Sequence, residues 1–530
     1  MTEFWTKNKI VILLFVVLFT AFFFRFWQLD SIPPGLYPDE AMNGVNALES
    51  INNGQYKVFY PENNGREGLF INIQAASIAL LGNTPLALRI VSAKFGALTI
   101  GAVFLFLWLL LQNTSANNAI ALRIAFISSL FMSLSFWHLN FSRIGFRAIT
   151  MPFFLILALT FLILALRNFS KFRLSTFYFL SVGIFLGLGL HGYTPFRLMP
   201  LLFVAIFIIL AVKKTFPVKM LFWRFCLLAI TMTLVFSPLL LHFIKNPNDF
   251  SNRHNKIYFF QQEEPVKTLL KTLKDYALMF NIKGDCNSRH NYICNPQLNY
   301  VAGIFFLIGF IGLWFKKLRK SFDARYLWIL YLGFFFTLLP AILASEGSPH
   351  ALRSIGTIPF VFAFVGIGIE IAYQKIKAVK SFLIIPFFVL LVITTLLVDP
   401  YKYFVKWPKT NPDFSQNYLD EALFLKQFPQ YQKIIIVNAS TGVNTQGFPT
   451  TIMTSKYILW QEFKSGALAY ILPEEISVIK EENFVAISME ENQSLLEELK
   501  NRFPEAKILK QDFNGGEFTA FVFDKNNLEY

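Results

Sequence analysis

From residue 10 to residue 398 the chain is repeatedly apolar for about 20 residues at a stretch, the length a helix needs to cross the hydrocarbon core of a bilayer. About eleven such runs occur, extending roughly over 10–29, 86–111, 119–138, 149–166, 176–191, 198–212, 222–243, 300–315, 326–344, 354–373 and 381–398. With 55% hydrophobic and 15% charged residues, against about 25% charged in an ordinary soluble domain, a soluble globular enzyme is excluded. The expected fold class is a polytopic α-helical membrane protein. The first run follows Lys7 and Lys9 and has no small-residue cleavage site before Leu29-Asp30, so it reads as a retained membrane helix rather than a signal peptide.

The net charge of +15 does not of itself point to nucleic acid, because cytoplasmic loops of membrane proteins collect Lys and Arg. Residues 1–398 hold 35 basic and 15 acidic side chains, and residues 399–530 hold 13 and 18. A basic membrane domain, 1–398, and an acidic domain, 399–530, are therefore expected, divided near Asp399-Pro400. With the N-terminus cytoplasmic, the inner turns carry Arg123; Arg167, Lys171 and Arg173; Lys213, Lys214, Lys219 and Arg224; Lys316, Lys317, Arg319, Lys320 and Arg325; and Lys375, Lys377 and Lys380. That alternation closes without a misfit. It predicts a multi-pass protein of the plasma (inner) membrane with loops 30–85 and 244–299, the turns near 139–148, 191–197 and 345–353, and the tail all outside. His138, His191, His242, His254, His290 and His350 then fall on the outer side, as do Asp39, Glu40 and Glu67.

In the tail, β-type runs at Lys433–Asn438, Phe484–Ser488 and Phe518–Phe523, with a Glu-rich helical stretch around 490–500, predict a small C-terminal α/β extracytoplasmic domain. Of the three cysteines, Cys226 lies in an apolar span and reads as a buried thiol. Cys286 and Cys294 lie in an outer loop, where a disulfide and two free thiols are both compatible with the sequence; a zinc site there would need His290 and a further ligand.

Two constellations carry chemistry. Pro33-Pro-Gly-Leu-Tyr-Pro-Asp-Glu-Ala41 sets Asp39 and Glu40 directly after a membrane helix, and Asn63-Asn-Gly-Arg-Glu-Gly-Leu-Phe70 adds Glu67. Adjacent carboxylates there suit a general base that takes a proton from a hydroxyl, and equally suit the first turn of a helix, where acids complement the dipole. The second constellation is cationic: Arg143 and Arg147, Arg197 in His191-Gly-Tyr-Thr-Pro-Phe-Arg197, and His350 with Arg353. Guanidiniums at outer helix ends either grip phosphate bidentately or snorkel to lipid headgroups. Together the two sets describe a site for a phosphate-bearing lipid and a nucleophile that must lose a proton.

These residues resemble the membrane glycosyltransferases of family 39, of GT-C fold, which include protein O-mannosyltransferases and the aminoarabinose transferase of lipid A. The resemblance covers roughly residues 10–400 and rests on Tyr37-Pro-Asp-Glu-Ala41, Arg66-Glu-Gly-Leu-Phe70, Leu88-Arg89, Ser142-Arg143 with Arg147, Gly192-Tyr-Thr194 through Arg197-Leu-Met-Pro200, and His350-Ala-Leu-Arg353. It implies inverting transfer of a sugar from a polyprenyl-phosphate donor to a lipid, glycan or protein acceptor outside the cytoplasm. On that reading Asp39 is the general base and Glu40 its neighbour, while Glu67, Arg143, Arg147, Tyr193, Arg197, His350 and Arg353 bind substrate. Fixed cations stabilise a departing phosphate more in the transition state than in the ground state.

The sequence departs from the family at Gly68, where the aminoarabinose transferases have lysine and many relatives proline. That group's phosphate contact and acceptor are therefore not carried over. A divalent metal, with Asp39, Glu67 or outer histidines as ligands, is compatible with the sequence and not required by it. The competing class is a secondary transporter, which would place ionisable groups near the bilayer midplane; here Lys94 is the clearest such residue.

Overall fold

A computed structural model describes residues 2–112, 118–250, 264–315, 325–344, 347–379, 381–410, 414–437, 450–480, 483–489, 493–513 and 516–524. Lys316, Lys317, Arg319, Lys320 and Lys380 of the inner turns, and His254, lie outside these residues. Every apolar run becomes a helix. Eight helices among the described residues are long and apolar enough to cross a membrane, and a ninth span forms if the bent pair Asn118–Leu134 and Phe136–Arg143 counts as one. The runs near 300 and 326 give the shorter helices Tyr300–Gly312 and Trp328–Ile342. One apolar helix, Gly68–Leu81, falls in what the sequence reads as an outer loop.

The chain forms two compact units: Met1–Trp27, Asn64–Phe70 and Arg89–Lys409 make the first, and Gln28–Asn63, Ile71–Leu88 and Thr410–Tyr530 the second. In the helical unit the Ile355–Val379 span is central, with 94% of its apolar window buried, whereas Asn8–Phe26 buries 17%. Two glycines explain how closely that central helix packs. A Cβ on Gly368 would strike the Phe305 carbonyl, and one on Gly309 the Phe364 carbonyl, so the Tyr300–Gly312 and Ile358–Val379 helices meet backbone to backbone. Between membrane helices, where lipid offers apolar contact of its own, such close approach is what favours association. Farther along the central helix Glu370, fully buried, accepts a hydrogen bond from Arg123 Nε at 2.9 Å, so the carboxylate is not left uncompensated.

The hydropathy of the 119–138 run is continuous, but the chain turns by 60° at Ser135, whose extended backbone (ψ 130°) interrupts the helix. The short helix Phe136–Arg143 that follows fixes two loops. Trp137 Nε1 donates to the Ala351 carbonyl at 3.1 Å, and Asn140 Nδ2 donates to the Arg289 carbonyl at 2.7 Å.

The second unit is built on a five-stranded mixed sheet of β1 (Gln432–Ile436), β2 (Leu468–Ile471), β3 (Asn483–Ser488), β4 (Lys507–Phe513) and β5 (Gly516–Asp524), in the order β2-β1-β3-β5-β4. β1 is parallel to both neighbours, and β5 is antiparallel to β3 and β4. Because side chains alternate along a strand, the unbroken Ile434-Ile-Ile-Val437 run requires cover on both faces. Ile434 and Ile436 pack with Phe484, Phe521, Leu495 and Leu499; Ile435 and Val437 pack with Val485, Ile487 and Ala520.

The core on this second face also takes in residues far away in sequence: Ala41, Val45 and Leu48 of the Pro38–Asn53 helix, and Ile71, Ala75 and Ile78 of the Gly68–Leu81 helix. Gly44 lies against the Tyr457 ring, with no room for a Cβ. The compact unit thus takes in Gln28–Asn63 and Ile71–Leu88 as well as the residues after the expected boundary near Asp399-Pro400.

Candidate functional site

Glu67 is the centre of a buried ionic knot. Its Oε2 accepts from Arg147 Nε at 3.0 Å, and its Oε1 accepts from Thr194 Oγ1 at 2.9 Å and Arg197 Nη2 at 3.3 Å. The carboxylate side chain is 1% exposed and each guanidinium 12%. Burial alone would push the Glu67 carboxyl up; Arg147 and Arg197, with a backbone N–H and Thr194, outweigh it and hold the group below its ordinary value. Both arginines are also stacked: Arg147 over Tyr193 at 5.7 Å, and Arg197 over Phe243 at 4.8 Å and Phe250 at 4.7 Å. Glu67, Arg147, Tyr193 and Arg197, singled out separately in the sequence, are brought together. With cations and a hydroxyl on both of its oxygens, Glu67 does not fit the role of metal ligand that the sequence allows it.

Asp39 and Glu40 open the Pro38–Asn53 helix, with Pro38 in its first turn. Glu40 is fully buried and accepts from the Tyr37 backbone N–H at 3.3 Å, closing a capping box. Asp39 is half-buried, and its Oδ1 accepts from Asn63 Nδ2 at 2.9 Å. The two readings of this pair therefore divide: Glu40 takes the cap, and Asp39 keeps the more open carboxylate.

Arg143 is elsewhere and differently occupied. It is fully buried, its Nη1 donates to the Phe24 carbonyl at 2.9 Å and the Arg25 carbonyl at 2.8 Å, and its guanidinium lies 5.0 Å from the Phe404 ring centre. It caps the last turn of the Thr2–Phe26 helix, whose final carbonyls lack intrahelical donors. The Ser142-Arg143 motif is legible in sequence, and the backbone carbonyls that Arg143 binds are not.

His350 and Arg353 lie on a third group of residues, around a cavity of about 510 Å³ lined also by Lys271, Asp275, Lys283, Asp285 and Arg289. One wall is the loop closed by a disulfide between Cys286 and Cys294, so the thiols are not zinc ligands. Asp285 organises this wall: Oδ1 accepts from the Asn287 N–H at 2.8 Å, and Oδ2 accepts from His290 Nδ1 at 2.8 Å and from the Ala351 N–H at 2.8 Å. Burial pushes His290 below its ordinary value; Asp285 works against that, and Arg289 and Arg353 work with it. The His290 and His350 ring centres are 4.8 Å apart.

Sequence reading passes over Lys271, Asp275 and Lys283. The available signal is the amphipathic Pro265–Met279 helix, whose buried Thr272, Tyr276 and Met279 leave Lys271 and Asp275 on another face.

No protein-family profile matches the chain, and no curated protein matches it in sequence. Solved structures do resemble it. ArnT from Cupriavidus metallidurans bound to undecaprenyl phosphate superposes with a TM-score of 0.56 at 12% identity, over 97% of this chain and 98% of that one. The apo form of the same protein gives 0.55 over 98% of each chain. The archaeal oligosaccharyltransferase AglB from Archaeoglobus fulgidus, in complex with an inhibitory peptide and a dolichol-phosphate, gives 0.51 at 12% identity, over 81% of this chain and 62% of that one. The fold is thus that of the GT-C membrane proteins, a helical membrane part with a small sheet-containing unit.

Proposed function

We propose that the protein is a GT-C glycosyltransferase that moves a sugar, with inversion, from a polyprenyl-phosphate donor to a lipid, glycan or protein acceptor at the extracytoplasmic face. The observation that carries this reading is the fold shared from end to end with ArnT, 97% of one chain on 98% of the other. The chemistry of the side chains supports it. Asp39, the more open of the adjacent carboxylates, is the proposed base that takes the acceptor proton. Arg353 and His350, on a cavity lined by further cations, suit the leaving phosphate. Arg147 and Arg197, paired with Glu67, serve in this reading to fix the outer ends of their helices and to present Tyr193. The N-terminus inside and the C-terminal unit outside follow from the basic inner turns.

The test is an assay of full-length protein in mixed micelles with a panel of polyprenyl-phosphate sugars, followed by mass analysis of the glycosylated product. Asp39→Asn should lower turnover by about 10²- to 10⁴-fold with normal membrane insertion, the range expected for a lost general base. Wild-type turnover in that variant removes Asp39 from the chemistry. Solute transport without sugar transfer overturns the proposal in favour of a transporter.

A further inference from the structure

We propose that Asp285, His290 and His350 form a site for a divalent transition-metal ion of the zinc type, with an open coordination position that takes a phosphate oxygen from the adjoining cavity. One ligand atom from each of these three side chains lies within 4.8 Å of the others. Metal–ligand bonds of about 2.0–2.2 Å place tetrahedral ligand atoms about 3.4 Å apart, so rotations that close the group by roughly an ångström complete the site. Two imidazoles and one carboxylate are the donor set of zinc-type ions that keep a position open, whereas magnesium and calcium prefer oxygen throughout.

The site is pre-organised from both sides. On the loop, the Cys286–Cys294 disulfide encloses His290, and Asn291 Nδ2 donates to the Asp285 and Asn295 carbonyls at 3.0 and 2.6 Å. Trp407 Nε1 holds the Ser288 carbonyl at 2.7 Å. On the turn, Trp137 holds the Ala351 carbonyl, the Ala351 N–H binds Asp285, and the Tyr276 hydroxyl accepts the His350 N–H at 3.2 Å. A hydrogen bond from His290 to Asp285 would brace the loop by itself. It does not account for a second imidazole held 4.8 Å from the first, nor for Asp285 and His350 both lining the cavity. Backbone groups that fix the loop and the turn carrying the ligands are the usual support of such centres.

The cavity also decides what the open position takes. Lys271, Lys283, Arg289 and Arg353 outnumber Asp275 and Asp285 in its lining, a setting that opposes a bare dication and favours one accompanied by an anion. Metal and phosphate must then strengthen each other's binding reciprocally. Metal binding is read without sugar transfer, so its failure and that of the glycosyltransferase reading are separable.

The experiment is zinc titration of chelator-stripped full-length protein in detergent, in competition with a chromophoric chelator, combined with X-ray absorption at the zinc edge. The expected result is one saturable zinc per chain with two imidazoles in its shell, and an affinity raised about fivefold or more by a phosphate. Inorganic phosphate is added in one arm and undecaprenyl phosphate in mixed micelles in the other; whichever acts tells a soluble from a lipid source. His350→Gln should lose about 10- to 100-fold in affinity and one imidazole from the spectrum, with unchanged thermal unfolding of the metal-free protein. If that variant fails to fold, His350→Asp, which retains a ligand, should bind zinc with one imidazole in the shell. No saturable zinc in the wild type, wild-type affinity in His350→Gln, or indifference to both phosphates overturns the proposal.

Discussion

At Glu67 a single carboxylate, 1% exposed, takes hydrogen bonds from two guanidiniums and a hydroxyl. In the same unit Lys271, Lys283, Arg289 and Arg353 line an open volume of about 510 Å³ in which Asp275 and Asp285 are the acids. Similar residue types thus produce a knot in which both cations bond one buried carboxylate and a cavity whose cations face room for a ligand. Both hold two cations for each acid, so what separates them is direct pairing and the access of solvent, not the count of charges or the identity of the arginines. A buried ion pair is costly to break and contributes little net stability when complete; cations around a cavity cost little until an anion arrives.

The largest effect that would test this contrast is on stability. Glu67→Gln leaves Arg147 and Arg197 without their counter-charge and should destabilise the protein by about 3–5 kcal/mol in chemical unfolding from mixed micelles. A loss under about 1 kcal/mol, with transfer reduced instead, would make Glu67 part of the chemistry and erase the distinction.

Next in size is the loop. Cys286→Ser opens a bridge spanning 8 residues, for which chain entropy gives about 2–3 kcal/mol, expected as local loosening around His290 in hydrogen exchange. Unchanged protection there would show that Asp285 alone holds the cavity wall. Smaller is Arg353→Ala, which should leave unfolding unchanged and weaken donor use about tenfold, equivalent to about 1.4 kcal/mol; equal loss of donor and acceptor use would detach the cavity from the phosphate.

The smallest effect is acid sensitivity. Because the folded Glu67 carboxyl lies below its ordinary value, its contribution is present above the unfolded value of about 4.3 and disappears as pH falls through the folded one. The stability gap between wild type and Glu67→Gln should be constant near neutrality and shrink only in acid. A gap that grows on acidification would give the opposite sign to the Glu67 shift.

Much of this was legible in the sequence. The Tyr193 and Arg197 stretch and the Arg66-Glu67 stretch each stood out, and of the two roles open to Asp39 and Glu40 the helix first turn is the one the structure fills, at Glu40. The bond between Glu67 and Arg197 was not legible, because these residues are 130 positions apart and hydropathy reports only on neighbours along the chain. For Arg143 the motif suggested a phosphate where the fold supplies two carbonyls from the end of the first helix. Lys271 and Lys283 were overlooked since lysines on an amphipathic helix and its following turn read as solvated until a cavity is found beside them.

By itself the sequence determined what each segment can dissolve in. Apolar runs of helical length fixed the membrane helices, and an unbroken Ile-Ile-Ile-Val run fixed strands covered on both faces, because transfer free energies and backbone hydrogen bonding act locally. Only the tertiary structure decided which charges meet. It brought the Pro38–Asn53 helix into one core with a helix and sheet formed nearly 400 residues later, turned the chain by 60° at Ser135, paired Arg147 and Arg197 with one Glu67, and left Arg353 beside a cavity. Coulomb energies depend on distance and local dielectric, and both are set by packing between segments that the order of residues does not bring together.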